Sequence, residues 1–559
     1  MNATCDIIFN DQESTYEITV YDELGFIYET DCFEDLFNYC KSNNIKQLFF
    51  YDGKIAFSYF DYFVLINDWK RIEPSRKGVM TANQYKTLIG SDGQRYSMLL
   101  GLGNRFHLRL RNLSLLAKGG LSKACQDFCV EESVIKVKTI MNLLNVLQKA
   151  FLELTEIDIV EDKVYTIGAI AKRYQLELIE QENGRKFHEI YKIDTDRNKL
   201  LMTQNLVRGG VCYFNEALVG KNLTNCRKYD YNSSYPYIMR NYPMPAGKFI
   251  ASRTIPNDNK LHFICFKYFK MNLKPNRLPL HSDVLTGENK PRIRYDEMDT
   301  FWLWEDELKA LQRYYDIEYQ IKVCFSFEPF YDKGMKAYVD KFYPLKSRAK
   351  GAKRTCIKLL LNSIYGKFGE NIYRDSVYYE LRDGVAHKVV EKIDHSDNNS
   401  MKYLSVIVSS YIAAMGRARI LNEVLDICGD RLPQDFVYCD TDCIVIRGDY
   451  QVKTSKTELG AFKDEGSFTS FKVLAKKTYI GYCEDKLLTV HAPGVDNTTL
   501  VSFYQNLTQE EGIAAFNNTI TFTCPIYVIK SGGIVLDKIS RRLADRDSLR
   551  YNGILIKEI

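Results

Sequence analysis

Apolar positions along the chain fall in short runs separated by polar residues, and the clearest pair of runs brackets an acidic pentapeptide. Phe436 to Tyr438 and Ile444 to Ile446 read as strands on either side of Cys439-Asp440-Thr441-Asp442-Cys443, which predicts a β-hairpin with two carboxylates at its tip. Residues two apart on a strand share a face, so Asp440 and Asp442 are expected to point the same way. Carboxylates so placed repel each other unless a cation lies between them, and hard oxygen ligands suit a divalent ion. A solvated acidic turn is the alternative.

The same reading organises the rest of the chain. Aromatic strands such as Gln47-Leu-Phe-Phe-Tyr51 and a long helix over about 131–156 predict an α/β domain ending near residue 165. After Arg208-Gly209-Gly210 the runs become strand-like and end in Lys228-Tyr-Asp-Tyr-Asn-Ser-Ser-Tyr-Pro236. That is a strand giving way to a turn and helix, with Asp230 at the strand end, in reach of a neighbouring hairpin tip. Residues 242–335 hold most of the prolines and read as an irregular inserted subdomain. A polar segment over 371–400, containing His395-Ser-Asp-Asn-Asn-Ser400, reads as a second insertion, a hairpin. From about 498 helix and strand signals alternate, with a turn at Ser531-Gly-Gly533.

Lys346, Lys350, Arg354, Lys358 and Asn362 recur every four residues. On one α-helix they form a single cationic stripe, with Leu359, Leu360, Leu361 and Ile364 on the anchoring side. Like charges at that spacing oppose helix formation, so the stripe is expected to meet an anion, and a triphosphate would satisfy it. Asn362-Ser363 and Tyr365-Gly366 close the stretch.

Composition adds limits. A chain of 559 residues divides into several domains, and a net charge of +5 requires any nucleic-acid surface to come from local clustering. The 39 Tyr and 31 Phe provide stacking surfaces as well as core. Fifteen cysteines without a Cys-x-x-Cys pair fit reduced thiols. Cys125 and Cys129 lack histidine partners for zinc. No secretion signal and no membrane span is expected, which points to the cytoplasm.

Together these motifs resemble the family B DNA polymerases, in particular the protein-primed branch of bacteriophages and linear plasmids. Asp230-Tyr-Asn-Ser-Ser-Tyr-Pro236 looks like motif A, Lys358-Leu-Leu-Leu-Asn-Ser-Ile-Tyr-Gly366 like motif B, Tyr438-Cys-Asp-Thr-Asp442 like motif C and Lys477-Thr-Tyr479 like the Lys-x-Tyr element. The resemblance implies an α/β (α+β) right hand of palm, fingers and thumb behind an RNase H-like exonuclease-type domain. Its expected parts are that domain over 1–165, palm over 166–241 and 401–497, fingers over 336–370 and thumb over 498–559. Insertions resembling terminal protein regions 1 and 2 occupy 242–335 and 371–400.

It also implies template-directed addition of deoxynucleotides to a 3′ hydroxyl, or to a terminal-protein hydroxyl. Asp230, Asp440 and Asp442 are the expected catalytic residues. Asp230, Asp442 and the Tyr231 carbonyl would hold two Mg²⁺ ions, Mn²⁺ being able to substitute, about 3.5–4 Å apart. Tyr235, Lys346, Lys358, Asn362 and Tyr365 match nucleotide-binding positions, and Arg208, Gly209, Gly210, Ser363, Gly366, Lys477 and Tyr479 match positions that meet DNA or primer. Implied partners are template-primer DNA, deoxynucleoside triphosphates and a terminal priming protein, with a monomeric polymerase and no membrane.

The amino-terminal domain departs from the family. Asp6 stands at one metal-ligand position of the proofreading exonuclease, but Ile8, Ala56 and Thr139 occupy the others. Val207 replaces the tyrosine of the Tyr-x-Gly-Gly linker, and Ser234 and Cys443 stand where Leu and Ser are usual. The expectation is polymerisation without proofreading. Rival readings are a DNA-binding replication scaffold, which would not need all three carboxylates and both lysines, and a polymerase of terminal transfer or lesion bypass.

Overall fold

The computed structural model describes residues 1–10, 15–51, 53–72, 80–89, 95–117, 119–162, 164–191, 208–280, 301–370, 373–382, 385–394, 402–493, 495, 497–517, 521–530 and 533–542. Val207, residues 395–400 and the turn residues 531–532 lie outside them.

The amino-terminal part is a mixed sheet of β1 (Asn2–Asn10), β2 (Thr15–Asp22), β3 (Ile27–Thr30), β4 (Gln47–Phe50), β5 (Lys70–Arg71), β6 (Gln84–Ile89), β7 (Arg95–Gly101) and β8 (His107–Asn112). Its order is β3-β2-β1-β4-β8-β7-β6-β5, with β4 parallel to both β1 and β8. The helices Phe33–Ser42 and Gly53–Ile66 bring Phe33, Leu36, Phe37, Phe57, Phe60 and Phe63 onto this sheet, a core the aromatic runs foreshadow. The helix Lys136–Thr155 lies against β1 and β2, where its Val137 carbonyl accepts a buried hydrogen bond from the Thr4 hydroxyl at 2.7 Å. Arg111 is buried at the end of β8 and donates to the carbonyls of Ile159, Val160 and Val164, tying the sheet to the loop that leads onward.

The second sheet joins distant segments. β9 (Cys212–Phe214), β10 (Cys226–Tyr231), β17 (Phe436–Asp440), β18 (Cys443–Arg447) and β19 (Phe462–Phe468) run antiparallel in the order β19-β10-β18-β17-β9. Alternation sorts their side chains onto two faces. Tyr229, Tyr231, Ile444 and Ile446 pack with Ile420, Leu421, Val424 and Leu425 of the helix Val406–Cys428. Cys226, Tyr438 and Val445 face Phe468, Phe471 and Val473, which lead into the smaller sheet of β20 (Ser470–Ala475), β21 (Thr478–Cys483) and β22 (Lys486–His491). The helix Val406–Cys428 is buried along most of its length.

The described residues of this span, 242–280 and 301–335, are not irregular. They form a four-stranded antiparallel sheet, β11 (Met244–Ser252), β12 (Leu261–Leu273), β13 (Phe301–Trp304) and β14 (Tyr315–Phe330), in the order β11-β14-β12-β13. The described prolines of this span sit near strand ends or in the connections, and Pro245 and Pro329 face each other across β11 and β14. Bulges in β12 and β11 let these long strands bend.

The cationic stretch also differs from expectation. It is two helices, Lys333–Arg348 and Gly351–Ser363, broken at Ala349-Lys350, and Gly351 adopts φ +54°. A four-residue spacing survives a break of this length unchanged, so periodicity alone reads straight through it. Both helices pack on the helix Ile167–Asn183, where Gly334 allows a backbone approach that any Cβ would block. β15 (Tyr373–Arg382) pairs with β16 (Val385–Asp394) as the expected hairpin, and the helices Asn497–Tyr504 and Gln509–Ala515 precede the hairpin of β23 (Thr521–Lys530) and β24 (Gly533–Arg542). Among the described residues no helix is long and apolar enough to cross a membrane.

Candidate active site

Three carboxylates meet where β10 ends beside the β17–β18 turn. Asp230 pairs in register with Cys443, and Cys443 pairs on its other side with Asp440. Asp442 lies in the two-residue turn itself, so strand alternation is not what aims it. The turn is closed by the Asp442 N–H, which donates to the Asp440 carbonyl at 2.7 Å across Thr441, whose φ is +61°. This tight i to i+2 turn is a rare, strained conformation, and more so for a β-branched residue. It is held from three sides. The Thr441 N–H donates to the Val211 carbonyl at 2.7 Å, the Tyr231 N–H to the Asp442 carbonyl at 2.9 Å, and the Thr441 hydroxyl to Asp440 Oδ1 at 3.2 Å.

The strain explains Gly210. A Cβ there would stand 2.7 Å from the Thr441 backbone, so the Gly210 segment is a backstop pressed on the turn. Arg208 and Gly209 are fixed in turn by Arg417, a residue the sequence reading passes over. Its buried guanidinium donates to both carbonyls at 2.9 Å and forks onto Glu307 at 2.6 and 3.1 Å. The Arg208 side chain is itself largely buried beside this pair, where burial lowers its pKa.

Burial and mutual repulsion of the acids outweigh the nearby positive charge of Lys228 and Lys463. Burial, then Asp442 and Glu465, raise the Asp230 carboxyl to about 7. Burial, then Asp440, raise Asp442 to about 6. Among the described residues no three His, Cys, Asp or Glu side chains gather closely enough to cage a metal unaided. Two carboxylates completed by substrate oxygens are nevertheless a usual donor set for Mg²⁺.

Around the carboxylates stand most of the other expected residues. Tyr231 is buried and stacks on Phe462 at 4.0 Å, with Arg419 over its ring. Tyr235, on the helix Ser234–Asn241, stacks on Tyr365 with ring centroids 3.8 Å apart, and Gly416 leaves room for its ring. Lys346 Nζ lies 3.3 Å from the Ser233 hydroxyl. Burial, then Lys358 and Arg354 across the helix pair, lower its pKa. The cationic cluster therefore forms between two helices. Lys358 and Asn362 are exposed on the second helix, Ser363 ends it, and Tyr365 and Gly366 begin the 3₁₀ turn that follows. Lys477 Nζ is 3.8 Å from Asp440, its N–H donates to the Tyr438 hydroxyl, and Tyr479 packs on Tyr438 at 5.2 Å.

The amino-terminal positions lie apart from this site. Asp6 forms an ion pair with Lys136 at 2.8 Å, Ile8 is 56% exposed, Ala56 is buried, and Thr139 is buried and bonded to Ser133. Cys125 and Cys129 sit at the end of a short helix.

The fold thus brings three carboxylates from two distant segments to one end of the five-stranded sheet. The family model for DNA polymerase type B, organellar and viral, matches residues 134–414, and the chain belongs to that family. It is 28% identical over 358 residues to a probable DNA polymerase of Podospora anserina, a stretch covering 54% of this chain and 29% of that one. With the DNA polymerase of Bacillus phage Nf it shares 26% identity over 310 residues, 53% of this chain and 52% of the other. The matches thus span about half or less of these curated relatives. In structure it is similar to Phi29 DNA polymerase complexed with primer-template DNA and incoming nucleotide substrates, with a TM-score of 0.77 and 19% identity over 97% of this chain and 100% of that one. The binary complex of the same polymerase gives 0.76. The shared fold is a right hand of palm, fingers and thumb behind an amino-terminal domain.

Proposed function

We propose that the chain is a template-directed DNA polymerase that adds deoxynucleotides to a 3′ hydroxyl, or to a hydroxyl of a terminal protein, without proofreading. One observation carries the reading: Asp230, Asp440 and Asp442, from segments some two hundred residues apart, converge at one end of the central strands β10, β17 and β18, facing the stacked Tyr235–Tyr365 pair and the Lys346 cluster. On this reading the palm is 166–241 with 401–497, the fingers 336–370 and the thumb 498–559. The parts at 242–335 and 371–400 are the terminal-protein-type insertions.

Asp230 and Asp442, with the Tyr231 carbonyl, are the groups that would hold divalent cations, Mg²⁺ or Mn²⁺, and the repulsion between their half-buried carboxyls, only partly offset by Lys228 and Lys463, fits that role. When bound, two such ions lower the pKa of the attacking hydroxyl and take up charge on the triphosphate. The chain's own groups do the rest. Lys346 and Lys358 grip the triphosphate from the two finger helices by charge-assisted hydrogen bonds. Tyr365 packs on the incoming base and sugar, Tyr235 excludes a ribose 2′-hydroxyl by contact, and Asn362 supports their pocket. Lys477 and Tyr479 hold the primer end, while Asp440, braced by Lys477 and the Thr441 hydroxyl, keeps the turn in place. Arg208, Gly209, Gly210, Ser363 and Gly366 line the DNA side.

Absence of proofreading is supported by charge balance. The Lys136 ammonium neutralises Asp6, and Ile8, Ala56 and Thr139 offer no carboxylate to gather cations. Extension of a labelled primer-template with Mg²⁺ and deoxynucleotides, wild type beside Asp442→Ala, tests the assignment. Extension missing from the wild type, or undiminished in the variant, would overturn it.

A further inference from the structure

Lys228 lies two residues before Asp230 on β10, and residues two apart share a face of the sheet. Its side chain is only 18% exposed and ends 3.7 Å from Glu465 Oε2. Glu465 is the extra residue of a bulge in β19, since Lys228 pairs with Gly466 and Tyr229 with Asp464. A bulge re-aims a side chain, and here it turns Glu465 towards Lys228. Lys463, the cross-strand partner of Asp230, reaches the same carboxylate at 2.7 Å. Beside Asp230 and Asp442 the protein thus carries a further carboxylate held by two ammonium groups, while Lys477 answers Asp440 from the other side.

We propose that Lys228 is a built-in cation that sets how tightly the carboxylate site takes divalent metal, by opposing the metal's charge and by holding Glu465 back from it. The proposal rests on the polymerase reading. An ammonium on the same strand face as a metal-binding carboxylate repels a divalent ion, and partial burial limits screening of that repulsion. Glu465, released from Lys228, would add its negative charge to the site. Lys228 therefore sets the metal concentration at which the site fills, and discriminates against ions that bind only weakly.

The test is a Mn²⁺ titration followed by the electron paramagnetic resonance of the free ion, on the full chain bound to a primer-template whose primer lacks a 3′ hydroxyl. Lys228→Gln is expected to tighten Mn²⁺ binding about tenfold, Lys228→Arg to leave it near wild type and Glu465→Gln to weaken it. The Mg²⁺ concentration for half-maximal extension should move in the same directions. Lys463→Gln, at the exposed edge strand, gives a smaller shift of the same sign and replaces Lys228→Gln if that variant does not fold. Binding to Lys228→Gln no tighter than to wild type, while Asp442→Asn abolishes binding to the parent, overturns the role of Lys228 alone. Binding that Asp442→Asn leaves unchanged overturns the polymerase reading and this inference with it.

Discussion

At the scale of single residues, the turn at Thr441 concentrates the strain of the candidate site. The left-handed Thr441 survives because Val211, Tyr231 and the Gly210 backbone hold it. Gly210→Ala must push the turn away, and a displacement near 1 Å at a reacting centre costs on the order of 100-fold in rate. Primer extension by this variant should fall by about that factor, with primer-template affinity measured by gel shift little changed. The carboxyls make a second prediction. Asp230 and Asp442 titrate higher when folded, about 7 and about 6, than in an unfolded chain near 3.8. Between about pH 4 and 7 the folded state therefore holds protons the unfolded state has released, and stability from these groups falls as pH rises through that window. A bound cation reverses the penalty. Melting temperature in chelator should be lower at pH 8 than at pH 5, Mg²⁺ should raise it more at pH 8, and Asp442→Asn should flatten the chelator curve. The acids themselves are plain in the sequence. Lys228, Glu465 and Arg417 are not, because their meaning depends on strand register, a bulge and a partner over a hundred residues away.

At the scale of elements, local pattern marks a hairpin better than it marks a sheet assembled from distant strands. The hairpin at 436–446 is legible because both strands and the turn are local. The helices Lys333–Arg348 and Gly351–Ser363 are legible as helical and cationic, yet their break escapes notice, since periodicity carries no record of a two-residue interruption. The sheet over 242–335 is hidden by prolines that tolerate strand ends, and its pairing of β12 with β14 is non-local. Where distant elements join, a buried ion pair does the fastening. Arg417 on the helix Val406–Cys428 bonds Glu307 on the helix Glu305–Gln312 and the 208–209 carbonyls. Arg417→Ala leaves a buried carboxylate unpaired, which costs about 3–5 kcal/mol. Its denaturant midpoint should fall accordingly, and the double variant with Glu307→Gln should recover part of the loss.

At the scale of the whole molecule, the motifs mark out the order of parts, but how those parts touch is set by surfaces no local pattern records. The β15–β16 hairpin and the β23–β24 hairpin, separated by over a hundred residues, both lie against the helix Gly53–Ile66 of the amino-terminal domain. That domain, on the reading above, has lost its metal chemistry, yet its helix Gly53–Ile66 remains a common support for both hairpins. On the proposed polymerase reading, DNA held against both hairpins would dissociate more slowly, with the chemical step unaltered. Replacing residues 373–394 by a short Gly-Ser linker removes one arm while leaving Asp230, Asp440, Asp442 and the finger helices in place. Extension from a labelled primer in the presence of an unlabelled trap should then yield products several-fold shorter than wild type, while addition of the first nucleotide keeps its rate. Products of unchanged length would show that the support given by the amino-terminal domain serves folding alone.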